Sequence, residues 1–530
     1  MSMATRATDI GFRDSRLGFS VRDRWQAFQF SPAARRVAAI GALCAFGAVW
    51  GAAVAVAGTP AFLMCVSLLA CIVCIRDFRA GVALLVLLMP MSQSEIFPRS
   101  LFGITGLNPL NLLMATTLVS YVMRRAGERH APRILRWQLM VLYILPFTVG
   151  AIIGTQHVDE IPTIFHDLDL ILFTNWIGYL RDLWAKPLLL VMYAFFVGAA
   201  VARTDKVSTF FTPMILSVFA MALLEVGYVA TSGATLAELS GTYARSFLSS
   251  LGMHANDLGR LYATAYALLL FVWDRSTNWT LKTICLFAMG AVFVALVLTF
   301  SRGAFTCFII VNIIYLFARR RLKTLMLGGF IAAVGLALMP GAVWYRLTMG
   351  IASGDLNAIS AGRTGDIWTP LLPELGQHPI FGNGLGSVMY SRAMIEGRLW
   401  QVAHPHNAYL ESYMNMGTVG LLLVLSFWIW MWRSFRREAR EEGSPLEMRG
   451  MFEGAAAGLL AYLIAGMAGA SLQPDVTQAF LWLAFGMMLG IRAKKVAAAK
   501  AEARAAKAAK AVDAARAAKV ARMTTANKGI

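Results

Sequence analysis

Charge is what this sequence of 530 residues has little of: 15 % is Asp, Glu, Lys or Arg, while 58 % is apolar. A soluble domain carries about 25 % charged and 45–50 % apolar residues, so a water-soluble enzyme is excluded. Cysteine is also sparse. All six (Cys44, Cys65, Cys71, Cys74, Cys285 and Cys307) lie inside apolar runs and lack metal-ligand spacing. Disulfides and an exposed thiol nucleophile are therefore not expected; buried, inert thiols are.

Long apolar runs are what the sequence has instead. They fall near 37–57, 58–75, 80–93, 107–123, 137–154, 187–201, 209–231, 258–273, 282–300, 303–318, 324–344, 407–432, 454–470 and 477–491. Most are long enough to cross roughly 30 Å of hydrocarbon as a helix, although 80–93 is short. Lipid demands that every backbone polar group be satisfied internally, which leaves helices or a closed barrel, and continuous runs do not suit barrel strands. The expectation is an all-α polytopic membrane protein with about 12–14 transmembrane helices. A segment 1–36 precedes a membrane domain over 37–491, and a tail follows over 492–530.

Lys and Arg mark the cytoplasmic side. With both termini inside, the loops alternate correctly. Arg124, Arg125, Arg129, Arg133 and Arg136 fall inside, as do Arg319, Arg320, Arg321 and Lys323, and then Arg433, Arg436, Arg437 and Arg440. The net charge of +19 thus reads as cytoplasmic anchoring, and no nucleic acid partner is expected. The first segment holds seven Arg and no small-residue cleavage site, as an uncleaved anchor would. The Ala/Lys-rich tail reads as a solvated helix or a disordered arm, with contact to anionic membrane lipid as the weaker alternative.

The outer side has three long segments, about 155–186, 232–257 and 345–406, and loops of such length in a compact protein are usually functional. The last holds Arg346, Arg363, Arg392 and Arg398 with His378, His404 and His406. Gly382-Asn383-Gly384-Leu385-Gly386 resembles a phosphate-cradling loop but misses the G-x-G-x-x-G spacing, so turn glycines are the better reading. His404 and His406 flank Pro405 with no Cys or acidic triplet to complete a metal site. No metal or cofactor is expected, and either ring suits a general base near neutral pH. Arg302 stands between two apolar runs, where an arginine either snorkels or has a function. Glu225, inside another run, is either a buried partner for an arginine or a helix-end residue near the outer surface. Guanidinium groups with a histidine suit a diphosphate leaving group, because Arg binds phosphate bidentately and stays charged.

At these residues the sequence resembles the O-antigen ligase and O-antigen polymerase (Wzy-type) superfamily of bacterial inner-membrane glycosyltransferases. Four stretches carry the resemblance: GMHANDLG (252–259), TFSRGAF (299–305), AGRTGDIWTPLLPELGQHPIFGNGLGS (361–387) and HPHNAYLESYMNMGTVGLLL (404–423). They span a core of about 250–430 that includes the loop 345–406. The resemblance implies a C-type glycosyltransferase-like fold with its active site facing the periplasm. The donor would be a glycan on undecaprenyl diphosphate, and the acceptor a glycan or lipid bearing a sugar hydroxyl. Arg302 and Arg363 would grip the diphosphate, with Arg260 in position to help. His406 would be the base, with His404 as the fallback. Repeat-unit polymerisation of a surface or exported polysaccharide is the first expectation; ligation of O-antigen or protein O-glycan is the alternative, and a flippase or chain-length regulator is a possible partner. A transporter of polysaccharide or lipid-linked glycan is the reading from another class. It would call for mid-membrane charges and internal repeats, which the sequence does not offer.

Overall fold

The computed structural model describes residues 32–92, 94, 100–128, 132–233, 235, 238, 248–320, 326, 337, 339, 341–348, 350–351, 354–399, 402–469 and 471–526. The segment 1–36 lies almost wholly outside the described residues, and the span expected at 324–344 lies largely outside them. The chain divides into two units, 1–69 and 70–530.

In the first unit α1 (Pro32–Ala57) ends at Gly58, whose φ of +63° turns the chain into α2 (Thr59–Arg76). Trp50 Nε1 donates to Ala61 O at 2.8 Å across that turn. Val37, Leu43 and Val49 stand exposed along α1, as side chains meant for lipid do.

The second unit is a bundle of α3 (Phe78–Leu88), α4 (Pro109–Ala126), α5 (Trp137–Glu160), α6 (Trp176–Val201), α7 (Phe211–Ser232), α8 (Ala255–Arg275), α9 (Trp279–Leu298), α10 (Arg302–Arg319), α11 (Ala408–Ala439), α12 (Leu446–Ala465) and α13 (Ala479–Ala526). One two-residue hairpin pairs Ser100–Leu101 with Ile104–Thr105. Among the described residues ten helices are long and apolar enough to cross a membrane. The protein is an all-α polytopic membrane protein. The sequence has fourteen apolar runs, expected to give about 12–14 spans, and helices stand at thirteen of the run positions; α3 is short, while α4 and α8 carry polar residues.

Helix α8 is the axis of the bundle, buried along most of its length. It owes this to glycines on α12: a Cβ on Gly450 would lie 2.4 Å from Phe271 O, and one on Gly454 2.5 Å from Ala267 O. Small residues every fourth position let two backbones touch, the usual way helices associate where apolar burial gives no advantage over lipid. Gly486 and Gly490 seat α13 on α6 in the same manner, against Ala194 O and Gly198 O.

The charged clusters gather at one end. Arg203 pairs with Glu128 at 2.7 Å, Arg319 with Asp274 at 2.6 Å, Arg492 with Glu438 at 2.7 Å and Lys494 with Asp205 at 2.7 Å. Helix α13 continues unbroken to Ala526, so the described tail is helical, with exposed alanines and lysines. At the opposite end the starts of α8, α10, α11 and α13 meet the end of α12.

Three expectations need correction. Cys44 is exposed and Cys65 half-exposed, so only four of the six thiols are buried: those two lie on α1 and α2 of the first unit. Glu225 is fully buried beside Tyr262 rather than at a helix end, and no arginine pairs with it among the described residues. The stretch 354–399 is no open loop. It folds into short helical turns at Leu356–Ile359, Thr364–Leu371 and Arg392–Ile395, the last capped by Glu374, which accepts from Ala393 N at 2.6 Å.

Candidate active site

Helix α11 begins at the sequence His404-Pro405-His406-Asn407. Asn407 caps it, its side-chain oxygen accepting from Tyr409 N at 3.0 Å and Leu410 N at 3.1 Å. The two imidazoles before the cap lie with ring centroids 4.3 Å apart. Trp368 Nε1 donates to Pro405 O at 2.8 Å and ties this turn to the segment after Arg363. That segment opens with a π-helical turn, Thr364–Trp368, which ends just before Pro370. The wider turn accommodates the ring and missing N–H of proline.

The chain between α12 and α13 supplies the floor. Tyr462 Oη donates to Ser471 O at 3.0 Å, Gln478 Nε2 to Ser471 O at 2.9 Å and to Gln473 O at 2.7 Å, and Tyr143 Oη to Leu472 O at 2.8 Å. Three helices therefore hold one turn rigidly. Its carbonyls are used by two arginines: Arg260 Nη1 donates to Gly469 O at 2.6 Å, and Arg363 Nη1 to Ala468 O at 2.6 Å. Arg260 also pairs with Asp257 one turn before it on α8. Gly469 has φ +131°, and a Cβ there would approach Arg260 Nη1 to 3.4 Å.

Arg302 is the first residue of α10, half-buried, at this same end. Ser301 before it caps α10 and donates its hydroxyl to Asn256 Oδ1 at 2.7 Å, beside Asp257. Gly259 permits the contact, since a Cβ there would lie 2.3 Å from Ala304.

Backbone strain is concentrated here. Six non-glycine residues among those described have left-handed φ, and three of them are Phe300 (+47°), Ala361 (+58°) and His406 (+52°). Two precede Arg302 and Arg363 by two positions, and the third is itself one of the histidines. Each costs on the order of 1–3 kcal/mol and persists only where surrounding structure imposes it.

Electrostatics separates the two histidines. Burial, then His404, Arg363, His254 and Arg260, push His406 down from 6.5 to about 2. His404 is also lowered by burial, and by Arg260 and His254, but Asp257 and Asp475 act the other way on it. His404 keeps solvent-accessible surface although it is crowded by the surrounding groups, and His406, Arg363, Asp257 and Asp475 are half-buried, so the cluster is recessed but reaches solvent. Asp475 caps the turn leading into α13 by accepting from Thr477 N at 2.9 Å. Burial and the facing Asp257 hold its carboxyl above the usual range.

Of the five residues singled out from sequence, Arg260, Arg363, His404 and His406 thus surround one turn, and Arg302 adjoins through Ser301 and Asn256. Asp257, Asp475, His254 and Trp368 were not assigned roles from sequence, although three of them stand in or beside the quoted motifs. Asp475 had one signal, an acidic cap just before an apolar run. Arg392 and Arg398 belong elsewhere: the first lies in the turn capped by Glu374, and the second pairs with Glu396 at 2.7 Å. Asp167 and Asp169 are exposed, and no group of three or more His, Cys, Asp or Glu comes together as metal ligands among the described residues.

The glycine stretch is structural. Gly417, with φ +65° and ψ −172°, breaks α11, and the 379–385 segment satisfies the backbone groups this frees. Asn383 N donates to Met414 O at 2.8 Å, Gly384 N to Asn415 O at 3.1 Å, and Thr418 N to Pro379 O at 2.8 Å.

No curated protein matches the chain. Residues 284–425 match the family model described as O-antigen ligase, a stretch that contains Arg302, Arg363, His404 and His406 and stops short of Arg260 and Asp475 on either side. Residues 284–425 are thus similar to an O-antigen ligase domain, which supports the resemblance to the O-antigen ligase and polymerase superfamily that the motifs carry.

Proposed function

We propose that the protein transfers a glycan from undecaprenyl diphosphate to a sugar hydroxyl at the periplasmic face of a bacterial inner membrane, with both termini cytoplasmic. The observation that carries this reading is the pair of arginines fixed on neighbouring carbonyls beside two adjacent imidazoles, within and beside the O-antigen ligase domain. Arg363 and Arg302, supported by Arg260, would hold the departing diphosphate; fixed guanidinium groups neutralise developing charge without reorganising. The acceptor oxygen bonds to the anomeric carbon as the bond from that carbon to the diphosphate oxygen breaks, and the hydroxyl proton passes to an imidazole.

The surroundings favour His404 as that base, reversing the order expected from sequence. Burial, Arg260 and His254 lower both rings, but Asp257 and Asp475 act in favour of the charged form of His404, whereas Arg363 acts further against that of His406. A bound diphosphate would offset those positive neighbours and raise the basicity of both rings. Because arginines supply the positive charge, transfer is expected to persist in excess EDTA. Restoration by Mg²⁺ after loss would contradict this.

Repeat-unit polymerisation is the preferred outcome, and ligation of finished chains the alternative. The deciding experiment is the glycan profile of a deletion strain complemented with wild type or Arg363→Ala. Single repeats accumulating on the lipid mean polymerase, and long chains stranded on the carrier mean ligase. An unchanged profile in the deletion strain would reject glycan transfer and leave the transporter reading.

A further inference from the structure

At the end of the bundle opposite the histidines, α8, α10, α11 and α12 enclose a cavity of about 550 Å³. One wall is apolar, built by Phe271, Ile313, Phe317 and Leu460. Ile313 and Phe317 are 45 % and 69 % exposed, so this wall continues onto the apolar outer surface of the helices. The other wall is basic, with Arg275, Arg436, Arg440 and Arg449.

The lining has a surplus of positive charge. Its one carboxylate, Glu453, is already shared by Arg275 and by Arg319, each at 3.1 Å. Arg449 Nε is turned to Ala439 O at 3.2 Å, and Arg436 stacks over Trp432 with its guanidinium carbon 4.9 Å from the ring centroid. Glu438 on α11 pairs with Arg492, and Glu441 just beyond that helix with Lys495. A second hollow of about 310 Å³ adjoins it, lined by Trp432, Arg433, Arg436, Arg437 and Arg440. Four arginines meet there without a carboxylate.

An apolar slot that opens sideways and ends in uncompensated guanidinium groups matches one kind of occupant. We infer that this cavity binds an anionic phospholipid, its acyl chain along Phe271, Ile313, Phe317 and Leu460 and its phosphate at Arg436 and Arg440. Arginine forks fit phosphate oxygens bidentately, and basic pockets between membrane helices suit such headgroups. A free phosphate or a nucleotide would leave the apolar wall unused. The site is separate from the histidine cluster and does not depend on the reaction proposed there.

The test uses the full-length protein, purified in detergent and stripped of lipid. Thermal unfolding and native mass spectrometry are followed as phosphatidylglycerol, phosphatidylcholine of the same chains, or inorganic phosphate is added. Phosphatidylglycerol is expected to raise the melting temperature and stay bound, and the other two are not. Arg436→Ala with Arg440→Ala should weaken its binding roughly ten- to thirtyfold. The double lysine variant should recover only part of the loss, because it keeps the charge and not the fork. Ala318→Trp, at an exposed position on the cavity wall, should weaken binding with every arginine in place, which guards against an arginine variant that fails to fold. Equal binding of the two lipids, protection by phosphate alone, or undiminished phosphatidylglycerol binding by a folded double alanine variant would each overturn the inference.

Discussion

Arg260 and Arg363 donate to the carbonyls of neighbouring residues, Gly469 and Ala468, so a turn between two late helices fixes the spacing of two guanidinium groups from distant parts of the chain. Their surroundings differ. Arg260 is buried and paired with Asp257, while Arg363 is half-buried and its charge acts on His406. The two alanine variants should therefore fail differently. Arg260→Ala leaves a half-buried Asp257 and the Gly469 carbonyl without their partner and should lower stability by about 1–3 kcal/mol. Arg363→Ala should change stability by no more than about 1 kcal/mol yet reduce transfer about a hundredfold or more. Thermal unfolding in detergent beside a transfer assay separates them. Arg363→Lys should rescue only partly, because a point charge does not reproduce the fork.

Trp368 connects the two halves of the site through its bond to Pro405 O. Trp368→Phe keeps the ring and removes that donor. The histidine turn then loses its tie to the Arg363 segment, so kcat should fall about tenfold, with KM for the lipid-linked donor little changed. A change confined to KM would assign the tryptophan to donor binding instead.

The crossings were legible because a lipid span must be long and apolar, and thirteen of the expected positions are helices. What escaped was polar residues inside helices and contacts between distant segments. Asn256 and Asp257 are polar, so the apolar run begins only at 258 while α8 begins at Ala255, and the partner of Arg260 falls outside the run. No local pattern shows that Arg260 will meet a carbonyl near 469. The His-x-His-Asn signature was visible, but its asparagine proves to be a helix cap and its second histidine a left-handed residue. The turn reading of Gly382–Gly386 agrees with the packing, yet the break in α11 that these glycines repair gave no sign in the apolar run 407–432.

That break is open to a direct test. A Cβ on Gly417 would lie 2.3 Å from Ile380 C and O, and its backbone region is reached by almost nothing but glycine. Gly417→Ala should therefore cost more than the roughly 1–3 kcal/mol of the backbone term alone. It should also detach the 379–385 segment, read as new protease sensitivity there. Gly227→Ala is the control, because that glycine sits in α7 with nothing near it. It should be neutral or slightly stabilising.

His406 gives the protein a pH dependence whose sign follows from its surroundings. Burial and four positive or titrating neighbours hold the ring near 2, against an ordinary 6.5. Between those values the unfolded chain binds a proton that the folded chain does not, so stability rises with pH in this window and falls as the solution is acidified below about 6.5. His406→Gln removes the group and should flatten the acid limb of a plot of melting temperature against pH. The His404→Gln variant should flatten it less, since Asp257 and Asp475 oppose the shift of that ring. If a lipid-linked diphosphate occupies the site, its negative charge should raise the His406 value and shrink the acid limb in wild type but not in His406→Gln. An acid limb that is the same with and without the donor would mean that no diphosphate lies beside this ring.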